Sequence, residues 1–529
     1  MLRIAKLLTV FLLLFPQSGL LAAGKAAHVV VLVWDGMRPD FVTEKTTPTL
    51  MKLAREGVTF AHHHPVYVSS TEVNGTAFAT GMYPEQSGIV GNEEYRPAIS
   101  LTKPIMTANP PEVRRGDEIL DSQFLRCPTL AETLHAHTLR TVVAGAKTVT
   151  LLLDRHAGEN GGLGVDLFEG NVLPKAMAGE LNGALGKFPP VGLPKRERDL
   201  WTTQALVGPL WDDGVPALSW LWLSEPDYSQ HHTGPGSKTS LAAILSCDQN
   251  LAQVLAALDK KGVREQTDVI VVSDHGFSTI FQTAPVAALL RKAGFKAARA
   301  FSAAGPHPGE VMVVGNGGTA FLYVTGHDAT QINQLAHWLQ AQPFCGVVFT
   351  RIPVDGAFRL EQAKIDSPAA PDIVCAMRWK ADSSANGTPG LIYSDASEYG
   401  PGQGMHASLS PFDMHNTCIA AGPDFRRDFQ DPLPTGNIDI APTVTWLLGV
   451  TPQRQPSGRV LHEALTENTE RNAHPTSHHL ETTYRDENFG WRQYLDYSEV
   501  SGVLYFDAGN GEQIQAATAS ASGAPGKSR

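Results

Sequence analysis

Short apolar runs in this chain of 529 residues repeatedly end in aspartate or histidine. Asp35 closes VVVLVWD, Asp227 and His231 follow LWLSEP, and Asp274 and His275 follow VIVVS. A sixth candidate, His406, stands far downstream in GQGMHASLS. A single aspartate after a strand reads as a capping carboxylate, but three such endings read as a ligand set. Aspartate and histidine without cysteine suit a borderline divalent ion such as zinc, and this many ligands can hold two ions. Ser69, Ser70 and Thr71 form a hydroxyl cluster just before a helical stretch expected over 74–80. A helix N-terminus favours anions, so a hydroxyl there can attack a phosphoryl group held by two cations; the same triplet is equally an ordinary N-cap. His62, His63 and His64 read as a loop or strand beside the site. His232 and His415, which adjoin the motifs, are candidate hydrogen-bond partners of the ligands. Trp34 and Tyr228 read as packing residues.

These residues need elements to hold them. Apolar runs at 28–34, 140–145, 217–223, 268–273 and 417–421 have the continuous pattern of buried parallel strands. Helical patterns alternate with them, one opening at Thr47-Pro48 and stopping near Gly57, another running over about 239–261 with Leu241, Ile244, Leu251, Val254 and Leu258 on its apolar face. Strands alternating with helices predict an α/β fold with a doubly wound, mostly parallel sheet. In such sheets ligands gather beyond the carboxyl ends of the strands. Residues 93–213 read as long pocket loops, about 281–400 as a small α+β insertion, and 470–529 as an extension that regains strand character at 502–506 before an Ala/Ser/Gly-rich, disordered end.

Composition sets the outer limits. Hydrophobic residues make up 42% and charged residues 18%, which excludes disorder for the whole chain. A net charge of −11 argues against gripping a nucleic acid duplex by charge. Arg3 and Lys6 before the apolar run 7–15, then Ala22 and Ala23, predict a signal peptide over 1–23 and a periplasmic or secreted protein without a stable membrane anchor. No later segment reads as membrane-spanning. Five widely spaced cysteines permit at most two disulfides.

The motifs together resemble the alkaline phosphatase superfamily, and within it the nucleotide pyrophosphatase/phosphodiesterase family. DGMRPD (35–40), the TxxN turn at Thr71 followed by TGMYPEQSGIVGN (80–92), EPDYSQHHTGP (225–235), SDHG (273–276) and NIDIAPTVTWLLGV (437–450) carry the resemblance. It implies an alkaline phosphatase-like three-layer sandwich over 24–469 and two Zn²⁺ per chain. One ion would be held by Asp35, Asp274, His275 and Thr71, the other by Asp227, His231 and His406. Thr71 would be the nucleophile, passing through a phosphothreonine, and Asn92 a phosphate contact. The implied partner is a small-molecule phosphate ester. The family's usual Phe-Pro after the nucleophile is Glu72-Val73 here, and its usual His after Asn is Gly75. A carboxyl group in place of the aromatic wall of a base slot suggests a cationic or sugar-like leaving group instead of a nucleobase. A sulfatase or phosphonate monoester hydrolase of the same superfamily is the rival reading, although no CxPxR-like motif follows VYVSS; a non-catalytic secreted binding relative would have little need of the whole ligand set.

Overall fold

A computed structural model describes residues 24–516 except Asn160, 396–397 and 468–472. The expected leader and nearly all of the Ala/Ser/Gly-rich end lie outside the described residues. Nine strands form the main sheet: β1 His28–Trp34, β2 Val58–His64, β3 Thr141–Gly145, β4 Gly164–Phe168, β5 Asn171–Leu173, β6 Leu218–Leu223, β7 Thr267–Val272, β8 Cys418–Ala421 and β9 Phe429–Gly436. Their spatial order is β9-β2-β8-β7-β1-β6-β3-β4-β5. The run β7-β1-β6-β3-β4 is parallel throughout, while β8 and β5 enter antiparallel.

Continuous apolar strands belong in a sheet covered on both faces, and β1 displays the reason. Val29, Val31 and Val33 pack on one side with Val73 and Phe78, whereas Val30, Leu32 and Trp34 pack on the other with Ile244 and Leu251. The helices around the sheet are α1 Pro48–Glu56, α2 Thr71–Thr80, α3 Arg196–Val207, α4 Asp227–Thr233 and α5 Lys238–Lys261. With α2 on one face and α1, α3 and α5 on the other, the result is the three-layer α/β sandwich expected from the motifs. Helix α5 meets the length and composition of a membrane span, with a mean hydropathy of 1.4, contrary to the expectation that no later segment does. Its apolar side is spent on the core, through Ile244, Cys247, Leu251, Val254 and Leu258.

The stretch 93–213 is not mainly loop. It contributes β3, β4 and β5 to the sheet, together with α3 and helices at Pro110–Ile119 and Leu130–Ala136. Helix α3 escaped the hydrophobic pattern because its buried side includes Asp199, Thr202 and Thr203. Asp199 accepts from the Ser224 amide at 2.7 Å and its hydroxyl at 2.9 Å, which fixes the turn leading from β6 into α4.

Between β7 and β8 the chain builds a six-stranded sheet from Lys296–Ala298, Glu310–Gly315, Thr319–Val324, Cys345–Thr350, Phe358–Arg359 and Ile373–Met377, with helices Val286–Lys292 and Ala329–Gln340. The chain returns through a strand of a separate four-stranded sheet, Gly404–Met405, which pairs antiparallel with Ser278–Thr279 just beyond β7. Residues 476–514 form a three-stranded antiparallel sheet, more than the single strand expected there. Its alternating residues Trp491, Gln493 and Leu495 are fully buried, and Gln493 bonds both the amide and the carbonyl of Val348. All five cysteines are buried free thiols, Cys345 and Cys375 approaching to 3.8 Å.

Since Leu495 joins the C-terminal sheet to the core containing Phe349 and Leu409, Leu495→Ala is expected to cost about 2–5 kcal/mol. Denaturant unfolding checks this, and a loss below about 1 kcal/mol would mean that the sheet is only loosely attached.

Candidate active site

Adjacent parallel strands end level with one another: Trp34 lies opposite Leu223, and Val33 opposite Val272. The residues that follow them are therefore forced together. Asp35 turns inward after β1, and the next residue, Gly36, has φ +70° with no room for a Cβ against Phe277. That close approach lets the Gly36 amide donate to Asp274 Oδ1 at 2.9 Å. Asp227 opens α4, its amide donating to the Asp35 carbonyl at 2.9 Å. One helical turn on, His231 Nε2 is 3.1 Å from Asp227 Oδ1. His406 follows the return strand and stacks on His275, ring centroids 3.7 Å apart.

The histidine rings are fixed in orientation by backbone carbonyls. Nδ1 of His231 faces the Gly404 carbonyl at 3.0 Å, Nδ1 of His275 the Gly276 carbonyl at 2.9 Å, and Nδ1 of His406 the Ser69 carbonyl at 3.0 Å. A carbonyl only accepts, so each Nδ1 carries the proton and each Nε2 lone pair points into the site. Asp227, His231 and His406 form one group whose ligand atoms lie within 4.8 Å of one another; Asp35, Asp227 and His275 form another. Asp274 Oδ2 is 3.2 Å from His275 Nε2. Asp35 Oδ1, Asp227 Oδ1 and Asp274 Oδ2 are buried without a hydrogen-bond donor. Three such oxygens beside three imidazole lone pairs make a donor set that fits divalent cations.

One charged residue went unread in the sequence. Lys147 Nζ lies 2.9 Å from Asp35 Oδ2, 3.1 Å from Asp227 Oδ2 and 3.5 Å from Thr71 Oγ1. It stands two residues beyond β3, the next parallel strand, so the strand-end rule that singled out the aspartates points to it as well. Burial works against its charge, but Asp227, Asp35 and Asp274 outweigh burial and hold the ammonium well above its usual range. Burial and Asp274 push Asp35 well up, while at Asp227 the effect of burial is overcome by Lys147 and His231, leaving it well below the usual carboxylate range. Trp222 was also missed; its indole N–H donates to Asp35 Oδ2 at 2.7 Å and orients that carboxylate.

Thr71 is the first residue of α2, which starts three residues before the expected position. Ser70 stands at the N-cap position but makes no side-chain cap, and Ser69 donates to the Ser408 carbonyl. Thr71 Oγ1 instead lies 3.3 Å from His275 Nε2. Asn74 clamps the preceding loop, accepting from the Val66 amide at 2.9 Å and donating to the Ser70 carbonyl at 3.1 Å. Asn92 Oδ1 accepts from the Glu72 amide at 3.1 Å, which leaves its amide nitrogen as the donor of the pair. Burial pushes the Glu72 carboxyl up to about 7, Lys147 pulling the other way.

All eight residues singled out for the site thus converge. The neighbouring histidines do not join them. His63 bonds Thr435 and Asn437, and Asn437 donates to the Asp274 carbonyl at 2.7 Å, so this contact reaches the site only through an intermediary. His232 faces the Tyr228 carbonyl. Trp34 packs in the core as expected.

Residues 29–406 match the family described as type I phosphodiesterase / nucleotide pyrophosphatase. The chain belongs to that family. Among curated relatives, it is 24% identical over 257 residues to the bis(5'-adenosyl)-triphosphatase enpp4 of Xenopus laevis, covering 47% of either chain. It is 25% identical over 246 residues to ectonucleotide pyrophosphatase/phosphodiesterase family member 1 of Homo sapiens, covering 46% of this chain and 22% of that one. The chain thus spans less than half the length of these relatives. Murine ectonucleotide pyrophosphatase/phosphodiesterase 5, solved as an inactive variant with AMP, shares the fold with a TM-score of 0.58 at 18% identity, covering 83% of this chain and all of that one. The family match ends at His406, so it takes in all eight of the converging residues.

Because Trp222 holds Asp35, a carboxylate of a candidate metal-binding group, Trp222→Phe is expected to weaken divalent-cation binding about 10- to 100-fold while the fold is retained. Competition with a chelator measures this; unchanged affinity would show that Asp35 needs no such support.

Proposed function

We propose that the protein is a periplasmic or secreted phosphoric ester hydrolase, with residues 24–469 as its catalytic domain and two zinc ions as its cofactor. The observation that carries the reading is the convergence of three unpaired carboxylate oxygens and three imidazole lone pairs beside Thr71 Oγ1. Asp35, Asp274, His275 and Thr71 would hold one ion, and Asp227, His231 and His406 the other. When bound, such ions stabilise charge on phosphoryl oxygens and lower the pKa of hydroxyl and water.

Thr71 Oγ1 then attacks phosphorus, losing its proton as the ester oxygen departs and takes one up. Water afterwards cleaves the phosphothreonine, its hydroxyl passing to phosphorus and its other proton to Thr71. Helix geometry leaves the Thr71 N–H without an intrahelical acceptor, so with Asn92 and Lys147 it can donate to the phosphoryl oxygens. Three aspartates against Lys147 leave two negative charges, which two dications reverse to two positive. A phosphodiester monoanion with deprotonated Thr71 closes that balance.

Thr71→Ala is expected to lower kcat on a p-nitrophenyl phosphodiester by on the order of 10³-fold or more while the zinc content of the wild type is retained. Lys147→Ala is expected to cost about 10²–10³-fold. Undiminished turnover in Thr71→Ala, or fewer than two zinc equivalents in the wild type, would overturn the mechanism.

The relatives named above carry nucleotide-directed names, yet Glu72 replaces the aromatic residue expected against a base. A leaving group that is cationic or sugar-like fits this position better. Restoring a ring by Glu72→Phe is expected to raise kcat/KM for nucleotide diesters over non-nucleotide p-nitrophenyl diesters about 5-fold or more, given stacking worth ~1–3 kcal/mol. An unchanged substrate profile would remove Glu72 from specificity.

A further inference from the structure

A second histidine–carboxylate cluster lies outside the residues assigned to catalysis. His64 ends β2, His415 sits in the loop before β8, and Asp507 belongs to the last strand of the C-terminal sheet, Val503–Ile514. We propose that these three residues bind a third metal ion, of the zinc class, which staples the C-terminal sheet to the main sheet.

The geometry is that of a ligand set. His64 Nε2 lies 2.9 Å from Asp507 Oδ1 and His415 Nε2 lies 3.7 Å from the same oxygen, all three atoms falling within 4.8 Å of one another. Tetrahedral zinc, with bonds of about 2.0–2.1 Å, sets its ligand atoms about 3.4 Å apart. The two measured separations bracket that value.

Proton placement argues for a cation more strongly than distance does. His64 Nδ1 faces the Thr435 carbonyl at 3.0 Å, and His415 Nδ1 faces the Pro411 carbonyl at 2.9 Å. Each Nδ1 must donate, so in the neutral rings both Nε2 lone pairs are aimed at a carboxylate oxygen. A proton on His64 relieves one of these repulsions and leaves the other. A metal ion converts all three lone pairs into bonds. The carboxylate is already oriented for this, since Ser498 Oγ donates to Asp507 Oδ2 at 2.9 Å and leaves Oδ1 facing the imidazoles. The His64 side chain is 1% exposed, but those of His415 and Asp507 are 29% and 31% exposed, which gives an ion a way in and a water the fourth position. Two imidazoles and one carboxylate match a borderline ion better than calcium or magnesium, which prefer all-oxygen shells.

The test is zinc stoichiometry in the full chain, saturated with zinc, freed of excess and analysed for metal. Asp507→Asn and His415→Gln are each expected to bind one equivalent fewer than the wild type and to keep their hydrolytic activity. His415→Gln, on a partly exposed loop residue, guards against a folding defect in the other variant. In the wild type, zinc should also slow amide exchange in 503–514, and this protection should vanish in His415→Gln. Equal zinc content in wild type and both variants would overturn the proposal and leave a charged hydrogen-bond pair only. The difference between wild type and variant is independent of how many ions the catalytic site holds, so failure of the two-zinc reading would not mimic it.

Discussion

Asp35, Asp227 and Asp274 are buried against one another with a single ammonium, Lys147, to offset their charge. Desolvated like charges are among the costliest arrangements a fold can contain, and they persist only where something else compensates. Much of the surrounding structure serves that compensation. The Gly36 amide, the Trp222 indole and the Lys147 ammonium take up some of the carboxylate oxygens. The remaining oxygens face imidazole lone pairs, which cannot donate to them, so the site is built around cations.

The parallel sheet is what makes this crowding possible. Four neighbouring strands, β7, β1, β6 and β3, deliver Asp274, Asp35, Asp227 and Lys147 to one edge. Supporting contacts come from distant segments. Asp199 on α3 holds the turn before Asp227, and Asn437 reaches the carbonyl of Asp274. The excursion of more than a hundred residues between β7 and β8 returns through Gly404–Met405, whose pairing with Ser278–Thr279 sets His406 on His275.

The family match ends at His406, yet the chain beyond it is structurally committed to the same body. β8 pairs directly with β7, and Tyr505 from the C-terminal sheet donates to Asp439 at 2.8 Å. His64, His415 and Asp507 bring β2, a loop and that sheet to a single point. The same proton arrangement, Nδ1 on a backbone carbonyl and Nε2 toward a carboxylate, is used there and among the histidines of the candidate active site.

Much of the site was legible in the sequence because its signals are local. A continuous β-branched run followed by aspartate marks the end of a buried strand, and an Asp and a His four residues apart share a helical face, so β1, β6, β7 and the ligand pairs could be read from short windows. Helix α3 could not, since the side it buries is partly polar and breaks the hydrophobic period. Nor could the roles of Lys147, Trp222 and Asp507. Lys147 meets Asp227 across 80 residues of chain, Trp222 meets Asp35 across 187, and Asp507 meets His64 across 443. The sequence by itself singled out the eight residues of the candidate active site and the strand ends that carry most of them. Only the tertiary structure decided which proton each histidine carries and which charge each carboxylate meets, because those depend on contacts that exist only after distant segments have packed.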